Sequence, residues 1–320
     1  MRNVLSAIFI MLFLALPSRA AEVLVAAASD LGFAVKEIVT DFETTTGTQV
    51  RLSLGSSGTF EAQIMNGAPF DIFLSADSAY PEDLQKKGLV EPNTLFVYGI
   101  GRIVVWVPKN SPVDVEKLGM RALLDGSVRK IAIANPEHAP YGRAAVSSLQ
   151  HFGLYEGIKT KLVLGENVSQ AAQFIQSGAA QIGIIALSIA LSDAMRTAGK
   201  YWQIPLDAYP RMDQAGVILK QARRAGHLDA ARAFTAALRS PKGRAVLNAT
   251  ASPSHNLTTA NSERTSCMAR DCRLDSIDVH FPRLRSRAKE RRNSYGKRAG
   301  KDAFAGDRRS SIRPDDFVLS

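Results

Sequence analysis

Short apolar runs of strand length alternate with helical patterns from Glu22 onward. The first three runs are EVLVAAA (22–28), QVRLSL (49–54) and DIFLSA (71–76). Between the first two runs, one helix face with the i, i+3, i+4, i+7 spacing is formed by Val35, Ile38, Val39 and Phe42. Glycines end the helical segments, with Gly47 after the first and Gly67 after the second. This alternation predicts parallel sheets covered by helices on both faces.

The same alternation continues through a second region of the chain. Its strand-like runs are RIVVWVP (102–108), KIAIANP (130–136), KLVLGE (161–166), QIGIIAL (181–187), YWQIPL (201–206) and QAGVILK (214–220). The clearest helical patterns are Val168 to Gln176 and a terminal helix from about Leu228 to Arg239. So many strands would make one very large sheet, so we predict two α/β lobes. Residues 21–101 plus 211–247 are assigned to lobe I and residues 102–210 to lobe II.

The first twenty residues have the pattern of an export signal. Arg2 precedes an apolar run from Val4 to Leu16, and small side chains follow up to Ala20. This order predicts a secretory signal peptide, residues 1–20, cleaved after Ala20. A membrane anchor is the alternative, but the run is shorter than the ~20 residues that a spanning helix needs. We therefore expect an exported, periplasmic protein.

The sequence changes abruptly after Leu247. Residues 248–320 have almost no apolar periodicity and hold 15 basic and 9 acidic residues, which predicts a disordered basic tail. Residues 21–247 hold 23 basic and 21 acidic residues, so the charge of +10 does not indicate nucleic-acid binding. Both cysteines, Cys267 and Cys272, lie in the tail, and their spacing is a poor metal signature. Whether they form a disulfide is left open, and no metal site is expected.

Serines follow two neighbouring strands at the points where helices begin. The segments are AAASDL (26–31), with Ser29, and GSSGT (55–59), with Ser57. Helix N-termini at the carboxyl ends of strands offer unpaired N–H groups and partial positive charge, which suits an anion. Simple helix capping by these serines is the alternative. Taken as a pair, the two junctions favour a binding site.

The junctions contain no lysine or arginine, which narrows the class of ligand. A site of hydroxyl and N–H donors favours a fully deprotonated oxyanion, so molybdate, tungstate and sulfate fit better than hydrogen phosphate. Asp30 is the exception, since an inward carboxylate could accept a proton, although it could also complement the helix dipole.

The second lobe contributes the segments ANPEHAPYGRAA (134–145) and GENVSQAA (165–172). They predict helix starts at Tyr141 and at Val168, whose backbone N–H would face the ligand. His138 is expected to stabilise its own turn. A hydrolase using Ser56 or Ser57 is the competing class of function, but there is no G-x-S-x-G elbow or P-loop. A spatial pairing of a serine with a histidine or carboxylate stays open.

Five segments together resemble the periplasmic molybdate-binding proteins of bacterial ABC transporters. They are AAASDLGFAVKEI, GSSGTFEAQIMNGAPFDIFLSAD, NPEHAPYGRAA, LGENVSQAAQFIQSGAAQIGIIALS and SPKGRAVL, within residues 22–247. The resemblance implies a two-lobed, type II-like periplasmic-binding-protein fold with the ligand cleft between the lobes. It also implies a monomeric, non-enzymatic protein without a cofactor, which passes molybdate or tungstate to a membrane permease and binds no nucleic acid.

Carried over to this sequence, the resemblance implies ligand contacts by Ser29, Ser57, Tyr141 and Val168. Some members have a binding tyrosine where this chain has Ala186, so Tyr141 is the expected substitute and contact by Ala186 is left open. The family's last helix usually runs into a short apolar end, whereas NATASPSHNL follows Leu247 here, as after a frameshift. The expected loss of terminal packing is about 1–2 kcal/mol. The preference among molybdate, tungstate and sulfate stays open.

Overall fold

The computed structural model of the chain describes residues 22–249. The predicted signal peptide and the tail from residue 250, which includes Cys267 and Cys272, lie outside the described residues. Within the described range, no helix combines the length and the apolar character that crossing a bilayer requires.

Strands and helices alternate through the described range. The strands are β1 (Glu22–Ala28), β2 (Gln49–Gly55), β3 (Ile72–Ser75), β4 (Phe96–Gly101), β5 (Ile103–Pro108), β6 (Ile131–Ala134), β7 (Leu162–Gly165), β8 (Ile182–Ala186), β9 (Gly199–Gln203) and β10 (Met212–Ile218). The helices of the first half are α1 (Gly32–Thr46), α2 (Ser57–Met65), α3 (Ala79–Lys86) and α4 (Val115–Leu118). Those of the second half are α5 (Pro140–His151), α6 (Tyr155–Ile158), α7 (Val168–Gln176), α8 (Leu187–Ala190), α9 (Asp193–Arg196), α10 (Lys220–Ala225), α11 (Leu228–Arg239) and α12 (Pro241–Ala249).

The strands form two five-stranded sheets with the same arrangement. The first has the order β2-β1-β3-β10-β4 and the second the order β7-β6-β8-β5-β9. In the first sheet β1 pairs in parallel with β2 and β3, while β10 runs antiparallel to β3 and β4. In the second, β6 pairs in parallel with β7 and β8, while β5 runs antiparallel to β8 and β9. The predicted two-lobed α/β fold is confirmed.

Each sheet is mostly parallel, as the sequence predicted: four of its five strands run in one direction, and one strand, β10 in the first sheet and β5 in the second, runs the opposite way. The antiparallel pairings are made by β5 and β10. Each of these is the first strand that the chain forms after it crosses from one sheet to the other. The chain leaves the first sheet at Gly101 and begins β5 at Ile103; it leaves the second at Gln203 and begins β10 at Met212. Within the first sheet Met212 pairs with Gly101, so the outgoing and returning connections lie side by side. Strand β4 was not predicted, because its glycines indicated a junction. The exact lobe limits remain a prediction.

In lobe I, helix α1 near the start of the described chain packs against helices α11 and α12 at its end. The predicted apolar face of α1 is buried at Val35, Ile38 and Phe42, and Gly47 ends that helix in the left-handed conformation with φ of 70°. Phe42 meets Phe234 of α11 edge-to-face, with ring centroids 5.2 Å apart. Leu247 of α12 joins the same core. The last described helices therefore complete the lobe that the first strand begins.

Phe234→Ala should lower the free energy of unfolding by about 3–5 kcal/mol, because a fully buried ring would leave a cavity against α1. The measurement is urea unfolding followed by circular dichroism. Phe33→Ala is the matched control, since Phe33 is 49% exposed and should change stability by less than about 1 kcal/mol. Equal losses in the two variants would contradict the assigned packing of α11 on α1.

Candidate functional site

Four helical N-termini converge on one small pocket between the lobes. Lobe I contributes the 3₁₀ turn Ser29–Leu31, which follows β1, and helix α2, which follows β2. Lobe II contributes α5, which begins shortly after β6, and α7, which begins shortly after β7. The pocket is lined by Ala28, Ser29, Asp30, Gly55, Ser56, Ser57, Ala76, Ala139, Pro140, Tyr141, Asn167 and Val168.

The structure brings all four sequence-predicted contact residues to this pocket. Ser29, Ser57, Tyr141 and Val168 all line it, and each is at least 95% buried. Ala186, at the end of β8, is buried but is not among the lining residues. Residues far apart in the sequence therefore meet because the two sheets present the carboxyl ends of corresponding strands to the same space.

Lobe I presents hydroxyl and backbone donors to the pocket. The Ser57 Oγ accepts a hydrogen bond of 3.0 Å from the backbone N–H of Ala76, so its own hydrogen remains for donation. Ser57 is also the first residue of α2, where a backbone N–H has no intrahelical acceptor. The Ser29 Oγ accepts from the Ser169 N–H at 3.4 Å, across the cleft. These contacts fix both hydroxyl oxygens and leave their protons available.

Lobe II presents a backbone donor and a phenol. Val168 is the first residue of α7, and the side chain of Asn167 caps that helix by accepting from the Gln170 N–H at 3.1 Å. The capping leaves the Val168 N–H at the helix start without an intrahelical acceptor. The Tyr141 hydroxyl donates to Asp30 Oδ2 at 2.8 Å.

The pocket combines partial positive charge with a single carboxyl group. None of its lining residues is lysine, arginine or histidine, so positive potential comes from the helix termini. Burial raises the pKa of Asp30 to about 6, and hydrogen bonds from Tyr141 and Gln214 only partly oppose this. A small oxyanion could be held here by hydrogen bonds without a neutralising cation.

Direct contacts across the cleft hold the lobes in a closed arrangement. The Gly58 N–H donates to the His138 carbonyl at 2.9 Å, and the Ser169 hydroxyl donates to the Ser29 carbonyl at 3.0 Å. A Cβ on Gly58 would lie 2.7 Å from that carbonyl oxygen, so the close approach requires glycine. The Arg143 guanidinium adds contacts of 2.6 Å to the Tyr80 hydroxyl and 3.0 Å to Asp77 Oδ2.

The sequence predicted that His138 stabilises its own turn, but its side chain also contacts the opposite lobe. Its Nδ1 lies 2.9 Å from Ser56 Oγ in the opposite lobe, and its Nε2 lies 3.6 Å from Glu166 Oε2. The Ser56 Oγ also caps α2 by accepting from the Thr59 N–H at 3.4 Å. The serine–histidine pairing that the sequence left open is therefore present at Ser56, whereas Ser57 contacts Ala76.

Sequence reasoning missed Gln214, Arg143, Asp77 and Tyr80. Gln214 is a buried polar residue within the apolar strand β10, and that isolated position was the available signal. Arg143 contacts Tyr80 and Asp77 across more than sixty residues of sequence, so their sequence positions carry no signal of the contact. Within residues 22–249 there is no cluster of histidine, cysteine and acidic side chains that could hold a metal ion.

Comparison with known proteins identifies the family. Residues 23–250 match the model of the bacterial extracellular solute-binding protein family. The molybdate-binding protein ModA of Azotobacter vinelandii is 40% identical over 236 residues, covering 74% of this chain and 91% of the relative. The ModA protein of Rhodobacter capsulatus is 36% identical over 242 residues, covering 76% and 92% respectively.

Solved structures agree with the sequence matches. The periplasmic molybdate-binding protein of A. vinelandii superposes with a TM-score of 0.65 at 34% identity, over 71% of this chain and 97% of that chain. The sulfate-binding protein SubI of Mycobacterium tuberculosis superposes with a TM-score of 0.59 at 12% identity, over 77% and 91%, and this likeness concerns the fold alone. The matching residues include the whole interlobe pocket, and this chain belongs to the bacterial extracellular solute-binding protein family.

Proposed function

We propose that the protein captures molybdate, or the similar dianion tungstate, and delivers it to the membrane permease of an ABC transporter. The observation that carries the proposal is the convergence of four helical N-termini on one buried pocket without a cationic side chain. The ModA names of the two relatives point to molybdate among the oxyanions that such a pocket could hold.

The proposed contacts divide between the two lobes. The hydroxyls of Ser29 and Ser57 donate to the oxyanion from lobe I, together with the Ser57 N–H. The Val168 N–H and the Tyr141 hydroxyl donate from lobe II. Binding strength depends on the serine hydroxyls and the backbone N–H groups being oriented before the ligand arrives, because no counter-charge compensates the lost hydration of the dianion. Closure of residues 102–210 against the remainder of the folded chain would complete the set.

The cellular role follows from the proposed ligand and from the sequence. The signal peptide would direct the protein to the periplasm, where the loaded, closed form would be recognised by the permease. We propose that it acts as a monomer, as a binding protein and not an enzyme, with no cofactor and no nucleic-acid partner. The metal would enter only as part of the oxyanion.

Sulfate is the nearest alternative ligand. It is also a tetrahedral dianion, and a pocket of hydrogen-bond donors distinguishes it from molybdate only by the position of its oxygens. The likeness to a sulfate-binding protein at 12% identity does not bear on this choice. The two ModA relatives, with much higher identity, favour molybdate.

Isothermal titration of the purified protein at one pH and salt concentration should show tight molybdate binding, with sulfate and phosphate far weaker. The reason is that the donors are fixed by the closed lobes and fit one oxyanion size best. Preferred binding of sulfate would reassign the ligand. A folded sample that binds no oxyanion would contradict the proposed function.

Ser57→Ala should weaken molybdate binding by about 1.5–3 kcal/mol, or on the order of 10- to 150-fold, because a donor to a buried charged ligand is lost. The affinity is measured by the same titration. Ser53→Ala is the matched control. Ser53 is exposed on β2, the strand that precedes Ser57, so this variant should leave the affinity unchanged. An unchanged affinity in Ser57→Ala would remove this residue from the proposed site.

A serine hydrolase is the second candidate, supported by the arrangement of Ser56, His138 and Glu166. Against it, the histidine approaches the serine through Nδ1, Glu166 has a 76% exposed side chain, and Ser56 already caps α2. A catalytic triad needs a buried carboxylate that orients the histidine. Hydrolysis of a p-nitrophenyl ester by the protein should therefore equal that of its Ser56→Ala variant. A loss of turnover in the variant would support the hydrolase instead.

A further inference from the structure

Asp30, Tyr141 and Gln214 form a buried hydrogen-bonded group in which elements of both lobes meet. Asp30 Oδ2 accepts from the Tyr141 hydroxyl at 2.8 Å and from Gln214 Nε2 at 2.7 Å. Gln214 Nε2 also lies 3.0 Å from the Tyr141 oxygen. Asp30 Oδ1 is fully buried and has no hydrogen-bond partner among residues 22–249. Two of the three residues, Asp30 and Tyr141, also line the oxyanion pocket.

The hydrogens of this group cannot satisfy every acceptor at once. A phenol hydroxyl has one hydrogen, and Tyr141 gives it to Asp30 in this arrangement. If the hydroxyl instead donates to an oxyanion, Asp30 loses this donor and remains as a buried carboxylate next to a dianion. The contact between the two side chains can be kept only if Asp30 carries a proton and becomes the donor to the Tyr141 oxygen.

The electrostatics of the pocket favour that proton. Burial already raises the pKa of Asp30 to about 6, so the carboxyl is largely ionised at neutral pH before ligand binds. A dianion in the same pocket would raise this pKa further, because like charges destabilise the ionised form. The protonation state of Asp30 should therefore differ between the free and the bound protein.

We propose that binding of the oxyanion is coupled to the uptake of one solvent proton by the Asp30 carboxyl. The protonated carboxyl then donates to the Tyr141 oxygen, while the Tyr141 hydroxyl donates to the oxyanion. Asp30 is thus a positioning residue that acts on the ligand through Tyr141. The inference rests on the proposed function of the pocket. It adds that the pocket takes up a proton, on Asp30, together with the oxyanion.

The other groups around Asp30 keep their charge across the relevant pH range. Burial raises the pKa of Tyr98 and Tyr141 well above the ordinary value and also raises that of Tyr209, so all three phenols stay neutral. Two guanidinium groups also lie nearby: Arg102 lines the adjoining small cavity, and Arg143 contacts Asp77. His138 contacts Ser56 beside the pocket, so a variant at His138 is the control for a second source of protons.

The test is titration of the purified protein with sodium molybdate from pH 5.0 to 8.5, with each pH measured in two buffers of different ionisation enthalpy. The buffer dependence of the heat gives the protons taken up per molybdate. We expect close to one proton near pH 8 and an affinity that falls about tenfold per pH unit above about pH 6. Below that pH the carboxyl is already protonated, so the affinity should level off.

Asp30→Asn should abolish both the proton uptake and the pH dependence, because an amide cannot ionise. His138→Gln is the control and should retain the uptake. Tight molybdate binding without proton uptake in the unaltered protein would overturn this inference alone, and so would an undiminished uptake in Asp30→Asn. No binding of any oxyanion would overturn the proposed function as well. Because the proton count is made on the unaltered chain, the test stays decisive even if Asp30→Asn fails to fold.

Discussion

The main physical constraint on this structure is the desolvation free energy of a doubly charged anion that no cationic side chain neutralises. Such a cost can be met only by many oriented donors, and a single helix terminus supplies few of them. The fold meets this requirement by aiming helix starts from two separate sheets at one point. Two lobes with the same strand order make this possible, since each places the carboxyl ends of two parallel strands beside the cleft.

The cross-lobe contacts follow from the same requirement. Donors on separate lobes face one ligand only when the lobes meet, so the closed arrangement must have stability of its own. Gly58 and His138 meet backbone to backbone, and Arg143 reaches two groups on the opposite lobe. These bonds are few and partly exposed, so they bias closure without locking it. A binding protein that must release its ligand needs such a modest bias.

The parts of the protein that depend on local sequence could be predicted. Strand β1, helix α7 and helix α11 have the predicted limits, because periodicity and flanking glycines act over a few residues. Ser29, Ser57, Tyr141 and Val168 meet at one pocket because the carboxyl-end rule applies to any α/β sheet. What escaped prediction depends on distant pairing: β4 with its two glycines, the antiparallel entry strands, and the contact of His138 with Ser56. No pattern within a single segment encodes these contacts.

Asp30 shows where local rules and function diverge. At the start of a helical turn an aspartate is a favourable residue, and by that rule its role would be to complement the dipole. Its burial beside Tyr141 and Gln214 changes the problem, because a carboxylate there would oppose the anion proposed for this pocket. Asp30 can complement the helix dipole and also tolerate the anion if its carboxyl is charged in the free protein and neutral in the complex. A group that looks unfavourable in an anion site would then supply the missing hydrogen of the bound state, and the pH of the surroundings would help to set how firmly the ligand is held.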